Sequence, residues 1–136
     1  MPQSRPYGDR SILIVEDEFI LRMDLVAFFS DEGFRVLEAS SAEDAIALLA
    51  TDPGVRVVLT DINLQGQMTG LELAKIVRHR HPPTTIFIMS SQTAPLAVEL
   101  AAGAQFFPKP VNNVRLLRQI EPLTPSGEMA ARCWAS

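Results

Sequence analysis

Cysteine is nearly absent: Cys133 is the single one in 136 residues, which excludes a disulfide framework and fits a reducing compartment. Long hydrophobic runs are missing too. The longest uninterrupted apolar stretches have four to six residues, far short of a membrane span. There is no excess of basic charge: 12 Lys and Arg stand against 16 Asp and Glu, a formal net charge of −4, which argues against a dedicated nucleic-acid binder. Residues 1–10 hold two prolines, a glycine and three charges but no apolar segment, so they do not read as a signal peptide and are expected to be disordered. Internal repeats and low-complexity tracts are also lacking. What remains, 47% hydrophobic and 21% charged, excludes wholesale disorder and suits one soluble, cytoplasmic domain with a sizeable core.

The charge is unevenly spread, with 12 acidic and 5 basic residues in 1–70 against 4 and 7 in 71–136. A solvated surface is the ordinary meaning of such a bias. It gains interest only where several carboxylates converge.

From Ser11 onward, short apolar runs alternate with segments of helical period. Ile12–Val15 is a strand without polar alternation, hence buried on both faces as in a parallel sheet, and it ends abruptly at Glu16-Asp17-Glu18. Phe19–Asp31 reads as a helix with Leu21, Leu25 and Phe28 or Phe29 on its apolar side, stopped by Gly33. Phe34–Leu37 is a second strand, and Ser41 with Asp44 starts a helix over Ala42–Ala50. After the turn Asp52-Pro53-Gly54, Val55–Thr60 is a third strand with Asp61 at its end. A glycine-containing loop over 62–70 and a helix over Leu71–Arg80 follow. Thr85–Met89 is a fourth strand ending in Ser90-Ser91, and Thr93 begins a helix that runs to Ala102. Gln105–Phe107 is a fifth strand halted by Pro108-Lys109-Pro110, Val111–Ile120 is the last helix, and residues 122–136 read as a flexible tail.

Strands alternating with helices in this way predict an α/β fold, an open, doubly wound parallel sheet with right-handed crossovers. Such sheets bind ligands at the carboxyl ends of their strands. Those ends carry Glu16, Asp17, Asp61, Ser90 and Lys109. Three carboxylates packed together repel unless a cation joins them, and oxygen-only ligands suit a hard divalent ion such as Mg²⁺. Asp61, alone at the end of its strand beside an open loop, is the candidate nucleophile toward a phosphoryl group. The Lys109 ammonium and a metal ion would neutralise the transferring charge, and the Ser90 hydroxyl could donate to a phosphoryl oxygen.

The runs Ile-Leu-Ile-Val-Glu-Asp-Glu (12–18), Val-Val-Leu-Thr-Asp-Ile-Asn-Leu (57–64), Met-Ser-Ser (89–91) and Pro-Lys-Pro (108–110) resemble the receiver domain of two-component response regulators. The likeness covers residues 11–121, and within it the free-standing receivers of alphaproteobacteria more than those of transcription factors. The resemblance implies a flavodoxin-like (βα)5 fold with strand order 2-1-3-4-5. It implies Asp61 as phosphoacceptor from the histidine of a sensor kinase. Asp17 would bind Mg²⁺ directly, Glu16 through water, and the backbone carbonyl of Asn63 would complete the set with Asp61. Ser90 would be the switch hydroxyl, Lys109 the phosphate-contacting lysine in a cis Lys109–Pro110 unit, and Phe106 the aromatic switch, although an aromatic on a short strand is equally at home in a core. Output would be a protein–protein contact or onward transfer to a histidine phosphotransfer protein, with no output domain, nucleic acid or membrane involved.

Four departures from the family pattern stand out. Gln65 takes the place of the usual proline, Gly70 falls nine residues after Asp61 rather than eight, the stretch from Ser90 to Gly103 is about two residues short, and Ser91 replaces an alanine or glycine, which would slow access to Asp61. The helix over 93–102 has Glu99 as its one charge between Ala94 and Ala104, so it is expected to offer a partner surface with the fifth strand and last helix, flanked by Arg115 and Arg118. Competing readings are a receiver-like module that signals without phosphorylation and an Mg²⁺-dependent aspartyl phosphatase. The phosphatase wants a second acid where Asn63 stands. A flavin fold would find its phosphate repelled by Glu16-Asp17-Glu18. His79, His81, Cys133 and Trp134 are assigned no chemistry.

Overall fold

The computed structural model describes residues 10–91 and 104–124. Five strands form one parallel sheet: β1 (Ser11–Val15), β2 (Arg35–Ala39), β3 (Val57–Asp61), β4 (Thr85–Ser90) and β5 (Gln105–Pro108). Their order is β2-β1-β3-β4-β5, as expected of the flavodoxin-like arrangement. Four helices are described: α1 (Phe19–Asp31), α2 (Ala42–Thr51), α3 (Gly70–Arg80) and α4 (Asn113–Ile120), the last followed by a 3₁₀ turn at Glu121–Leu123. The helix expected over 93–102 lies outside the described residues, as do residues 1–9 and 125–136.

Successive strand residues point to opposite faces of a sheet, so the unbroken apolar runs of β1, β3 and β4 feed two separate cores. On one face Leu13, Val15, Val58, Ile86 and Ile88 pack with Ala42, Ala45 and Leu49 of α2 and Leu73, Ala74 and Val77 of α3. On the other, Ile12, Ile14, Val57, Leu59, Phe87 and Met89 pack with Leu25 and Phe29 of α1 and with Leu116 and Ile120 of α4. Each fully buried large side chain of this kind stabilises the fold by about 1.5–3 kcal/mol.

Helix ends follow local chemistry. The Ser41 hydroxyl accepts the Asp44 amide at the start of α2 (3.1 Å). Gly33, at φ +87°, takes the left-handed conformation that lets the chain leave α1. Thr69 and Glu72 form a reciprocal capping box on α3, so the helix begins one residue before the expected Leu71. Asn112 caps α4 through the Arg115 amide (3.1 Å), which moves its start from Val111 to Asn113.

Two strands differ from expectation for a hydrogen-bonding reason. Phe34 stays out of β2 because its amide bonds Phe29 (3.0 Å) and its ring packs edge-on against Phe29 at 5.1 Å. The strand therefore runs from Arg35 to Ala39. β3 begins at Val57 because the Val55 amide closes a turn onto Asp52 and the Arg56 amide goes to the Ser11 hydroxyl (2.9 Å). On α1, Leu25 and Phe29 are buried as expected, but Leu21 is 41% exposed.

Candidate functional site

The carboxyl ends of β1, β3, β4 and β5 meet at one edge of the sheet, because all five strands are parallel and their registers align Val15 with Thr60 and Asp61 with Met89. Glu16 and Asp17 leave β1 there, and Asp61 is the last residue of β3. Ser90 ends β4, and Lys109 follows β5. The Ser90 carbonyl accepts the Lys109 amide (2.8 Å), which ties the two strand ends together ahead of the cis Lys109–Pro110 bond.

Asp61 is 7% exposed, and both its carboxylate oxygens are engaged. Oδ1 accepts the Asn63 amide at 3.1 Å and Oδ2 accepts the Lys109 ammonium at 2.7 Å. Asp17 is half-buried, and its Oδ2 accepts the Gln65 amide at 2.9 Å. A proline at 65 has no N–H to give, so the departure from the family pattern supplies this tether.

Glu16 is the most buried of the three, 1% exposed. Its Oε2 accepts the Glu18 amide (3.0 Å), while Oε1 is buried without a hydrogen-bond partner among the described residues, 3.8 Å from the Lys109 ammonium. Burial pushes the Glu16 carboxyl up to about 7 and the Asp61 charge adds to it, against the lowering effect of the Glu18 amide and of Lys109. For Lys109, burial works to lower the ammonium. The hydrogen bond to Asp61 and the charges of Asp61, Glu16 and Glu18 together raise it above the ordinary lysine value.

Glu16, Asp17 and Asp61 each offer an oxygen within 4.8 Å of the others. Three hard oxygen donors, with a buried Glu16 oxygen that has no hydrogen-bond donor among the described residues, fit a divalent cation such as Mg²⁺. The Asn63 amide closes onto Asp61, which keeps the start of the following loop against the cluster.

Ser90, the last residue of β4, is buried, and Ser91 after it is exposed. Phe106 stands apart. It is half-buried, opposite Ile88 in register, and packs against the core on the α2–α3 face. A groove of about 470 Å³ runs along β5 and α4, lined in part by Phe106, Arg115 and Arg118. The expected partner surface on residues 93–102 lies outside the described residues. His79 and His81 lie at the end of α3, away from the acidic cluster.

Three contributors to the site were given no role from sequence, although Gln65 and Gly70 stood out as departures from the family pattern. Gln65 acts through its backbone, which no side-chain pattern reveals. Gly70 was legible only as an offset glycine. Its amide bonds the Ile62 carbonyl (2.9 Å), and a Cβ there would collide with the Asp61 carbonyl oxygen. The third, Arg22, donates to the Glu16 carbonyl (2.8 Å) from the second turn of α1.

Comparison with known proteins agrees with this geometry. The model of the response regulator receiver domain matches residues 12–121. An NtrX-like response regulator of Rickettsia bellii is 35% identical over 111 residues, 78% of this chain but 23% of the relative, so the chain spans about a quarter of that protein. The two-component response regulator ORR11 of Oryza sativa subsp. indica is 30% identical over 119 residues, 84% of this chain and 80% of that protein. Among solved structures, the chemotaxis response regulator CheY4 of Vibrio cholerae superposes with a TM-score of 0.75 at 28% identity, covering 85% of this chain and 98% of the other. With the expected strand order and an acidic cluster at its carboxyl edge, the chain belongs to the response regulator receiver domains of two-component systems.

Proposed function

We propose that Asp61 accepts a phosphoryl group from the phosphohistidine of a sensor histidine kinase in an Mg²⁺-dependent reaction. The observation that carries this reading is the 2.7 Å contact between Lys109 and Asp61 inside a cluster of three carboxylates. An Asp61 oxygen attacks phosphorus, the P–N bond to the donor imidazole breaks, and an acyl phosphate forms on Asp61. Glu16, Asp17, Asp61 and the Asn63 carbonyl would hold the Mg²⁺. When bound, the ion offsets charge on the phosphoryl oxygens.

Lys109 would swing its ammonium from Asp61 to a phosphoryl oxygen, and the Ser90 hydroxyl would donate a hydrogen bond to another. Because the Lys109 amide is bonded to the Ser90 carbonyl, movement at one is felt at the other. Phe106, on the same strand as Pro108 and beside the groove with Arg115 and Arg118, would report the change to a downstream protein or histidine phosphotransfer partner.

The donor side fits as well. A groove of about 400 Å³ between α1 and the start of α4 has Glu16 and Lys109 in its lining together with Leu21, Leu25, Met89 and Val111. Phe19, Ile20 and Met23 of α1 and Val114 of α4 are more than half exposed on the two helices that flank this groove, apolar surface for a partner helix presenting a histidine. Residues 11–121 would form the receiver unit.

Intact mass after incubation with Mg²⁺ and acetyl phosphate tests the reading, with Asp61→Asn and a chelator as controls. One added phosphoryl group, absent in both controls, is expected. Folded protein that stays unmodified would overturn it in favour of signalling without phosphorylation.

A further inference from the structure

Arg22 joins the acidic loop to a strand that carries none of the expected site residues. Its side chain is 15% exposed, which for an arginine on an outer helix means that most of it is engaged. Nη1 donates to the Glu16 carbonyl oxygen at 2.8 Å and Nε to Glu38 Oε1 at 2.9 Å. Glu38 belongs to β2, opposite Ile14 in register, and its neighbour Ala39 accepts the Glu16 amide at 3.1 Å. Both backbone polar groups of Glu16 are therefore tied toward β2, one directly through Ala39 and the other through the Arg22–Glu38 pair.

The Glu16 carbonyl belongs to the peptide that links Glu16 to Asp17, so its orientation sets how two of the three clustered carboxylates are aimed. We infer that Arg22, held by Glu38, is a positioning residue for the divalent-cation site. The inference rests on reading that site as an Mg²⁺ site. A planar guanidinium serves the role because it reaches two acceptors on different elements at once, which a lysine ammonium in the same place does not reproduce. Charge and position pull in opposite directions here. A cation beside an acidic cluster opposes Mg²⁺ binding, whereas a fixed peptide favours it.

Calorimetric titration of the full chain with Mg²⁺, with thermal unfolding alongside, separates the two effects. Arg22→Lys and Arg22→Gln are both expected to weaken Mg²⁺ binding, by about tenfold, the scale on which groups that orient metal ligands act. Glu38→Gln, at a half-exposed side chain that leaves both cores intact, is expected to give a smaller loss in the same direction. Combined with Arg22→Gln it should add little, because both changes break one linkage. Tighter binding by Arg22→Gln with wild-type binding by Arg22→Lys would show a charge effect and overturn the inference, as would wild-type affinity in every folded variant. If wild-type protein itself neither bound Mg²⁺ nor took up a phosphoryl group, the reading of the site would fall and this inference with it. Wild-type binding with unaffected variants would sink the inference alone.

Discussion

Lys109 and Asp61 meet at 2.7 Å, and the same ammonium lies 3.8 Å from the buried Oε1 of Glu16. One cation thus serves two carboxylates, with Asp17 alongside, so the cluster keeps an excess of negative charge that a divalent ion would offset. The arrangement follows from parallel topology. Strands that run the same way put the residues at the carboxyl ends of β1, β3 and β5 at one edge, although they are far apart in sequence.

Removing the ammonium should separate cation binding from phosphoryl transfer. Lys109→Met takes away the positive charge and leaves most of the aliphatic stem, so Mg²⁺ is expected to bind more tightly to the more negative cluster. Uptake of a phosphoryl group from acetyl phosphate should nevertheless slow by about 100-fold, because a preorganised charge aimed at the transferring oxygens is lost. Calorimetry and time-resolved intact mass read the two effects. Unchanged uptake would remove Lys109 from the transfer step.

Glu16 makes stability depend on pH in a direction opposite to most carboxylates. Its carboxyl is held up at about 7 in the folded protein, mainly by burial, against an ordinary value of 4.5. The folded state therefore binds this proton more tightly than the unfolded chain does. That contribution is fully present below 4.5 and is lost as pH rises through about 7. In chelator, thermal unfolding followed by circular dichroism should show a midpoint that falls across this window. Glu16→Gln, which cannot ionise, is expected to flatten the fall and raise the midpoint at neutral pH. A wild-type midpoint that rose through the same window and was unaltered by the substitution would contradict the assignment.

Gly70 controls the backbone of the candidate acceptor. A Cβ at this position would overlap the Asp61 carbonyl oxygen and lie 2.9 Å from the Ile62 Cα, backbone atoms that cannot rotate away. Gly70→Ala should cost about 1–3 kcal/mol in urea denaturation, the range for forced overpacking. It should also lower phosphoryl uptake in the fraction that stays folded, because Asp61 must move. Stability and uptake both at wild-type level would show that α3 shifts without disturbing β3.

Much of this molecule was legible in advance because the informative residues act through type and spacing. Buried strands announce themselves as apolar runs such as Ile12–Val15, and the acidic pair, Asp61 and Lys109 each stand directly after one. The Thr69–Glu72 capping box is an equally local pattern, Thr-x-x-Glu before a helix, although Gly66 and Gly70 read more strongly as a loop. Other features depend on three-dimensional approach. Phe34 looks like a strand residue until Phe29 takes its amide and its ring. Gln65 contributes an N–H that every residue except proline possesses. Arg22 and Glu38 are 16 residues apart on a helix and a strand, and no periodicity links a helix arginine to a strand glutamate.

Arg10 provides a further case, and its energetic weight can be divided by mutation. One residue ahead of β1, its guanidinium donates to the Glu32 carbonyl after α1 (2.9 Å), to the Thr124 carbonyl (3.2 Å) and to Glu121 Oε2 (3.0 Å), and it lies 4.5 Å from the Phe34 ring centre. It thereby joins the start of the sheet to the ends of α1 and α4. The ion pair is the weakest part, because Glu121 is 42% exposed and water screens it. The bonds to two carbonyls and the contact with buried Phe34 matter more. Arg10→Ala is therefore expected to cost about 2 kcal/mol in urea denaturation, and Glu121→Gln less than about 0.5 kcal/mol. Neither should alter phosphoryl uptake by the folded protein, since the clamp sits at the edge of the sheet opposite Asp61. Equal losses from the two variants would shift the weight to the ion pair and leave the carbonyl bonds without net effect.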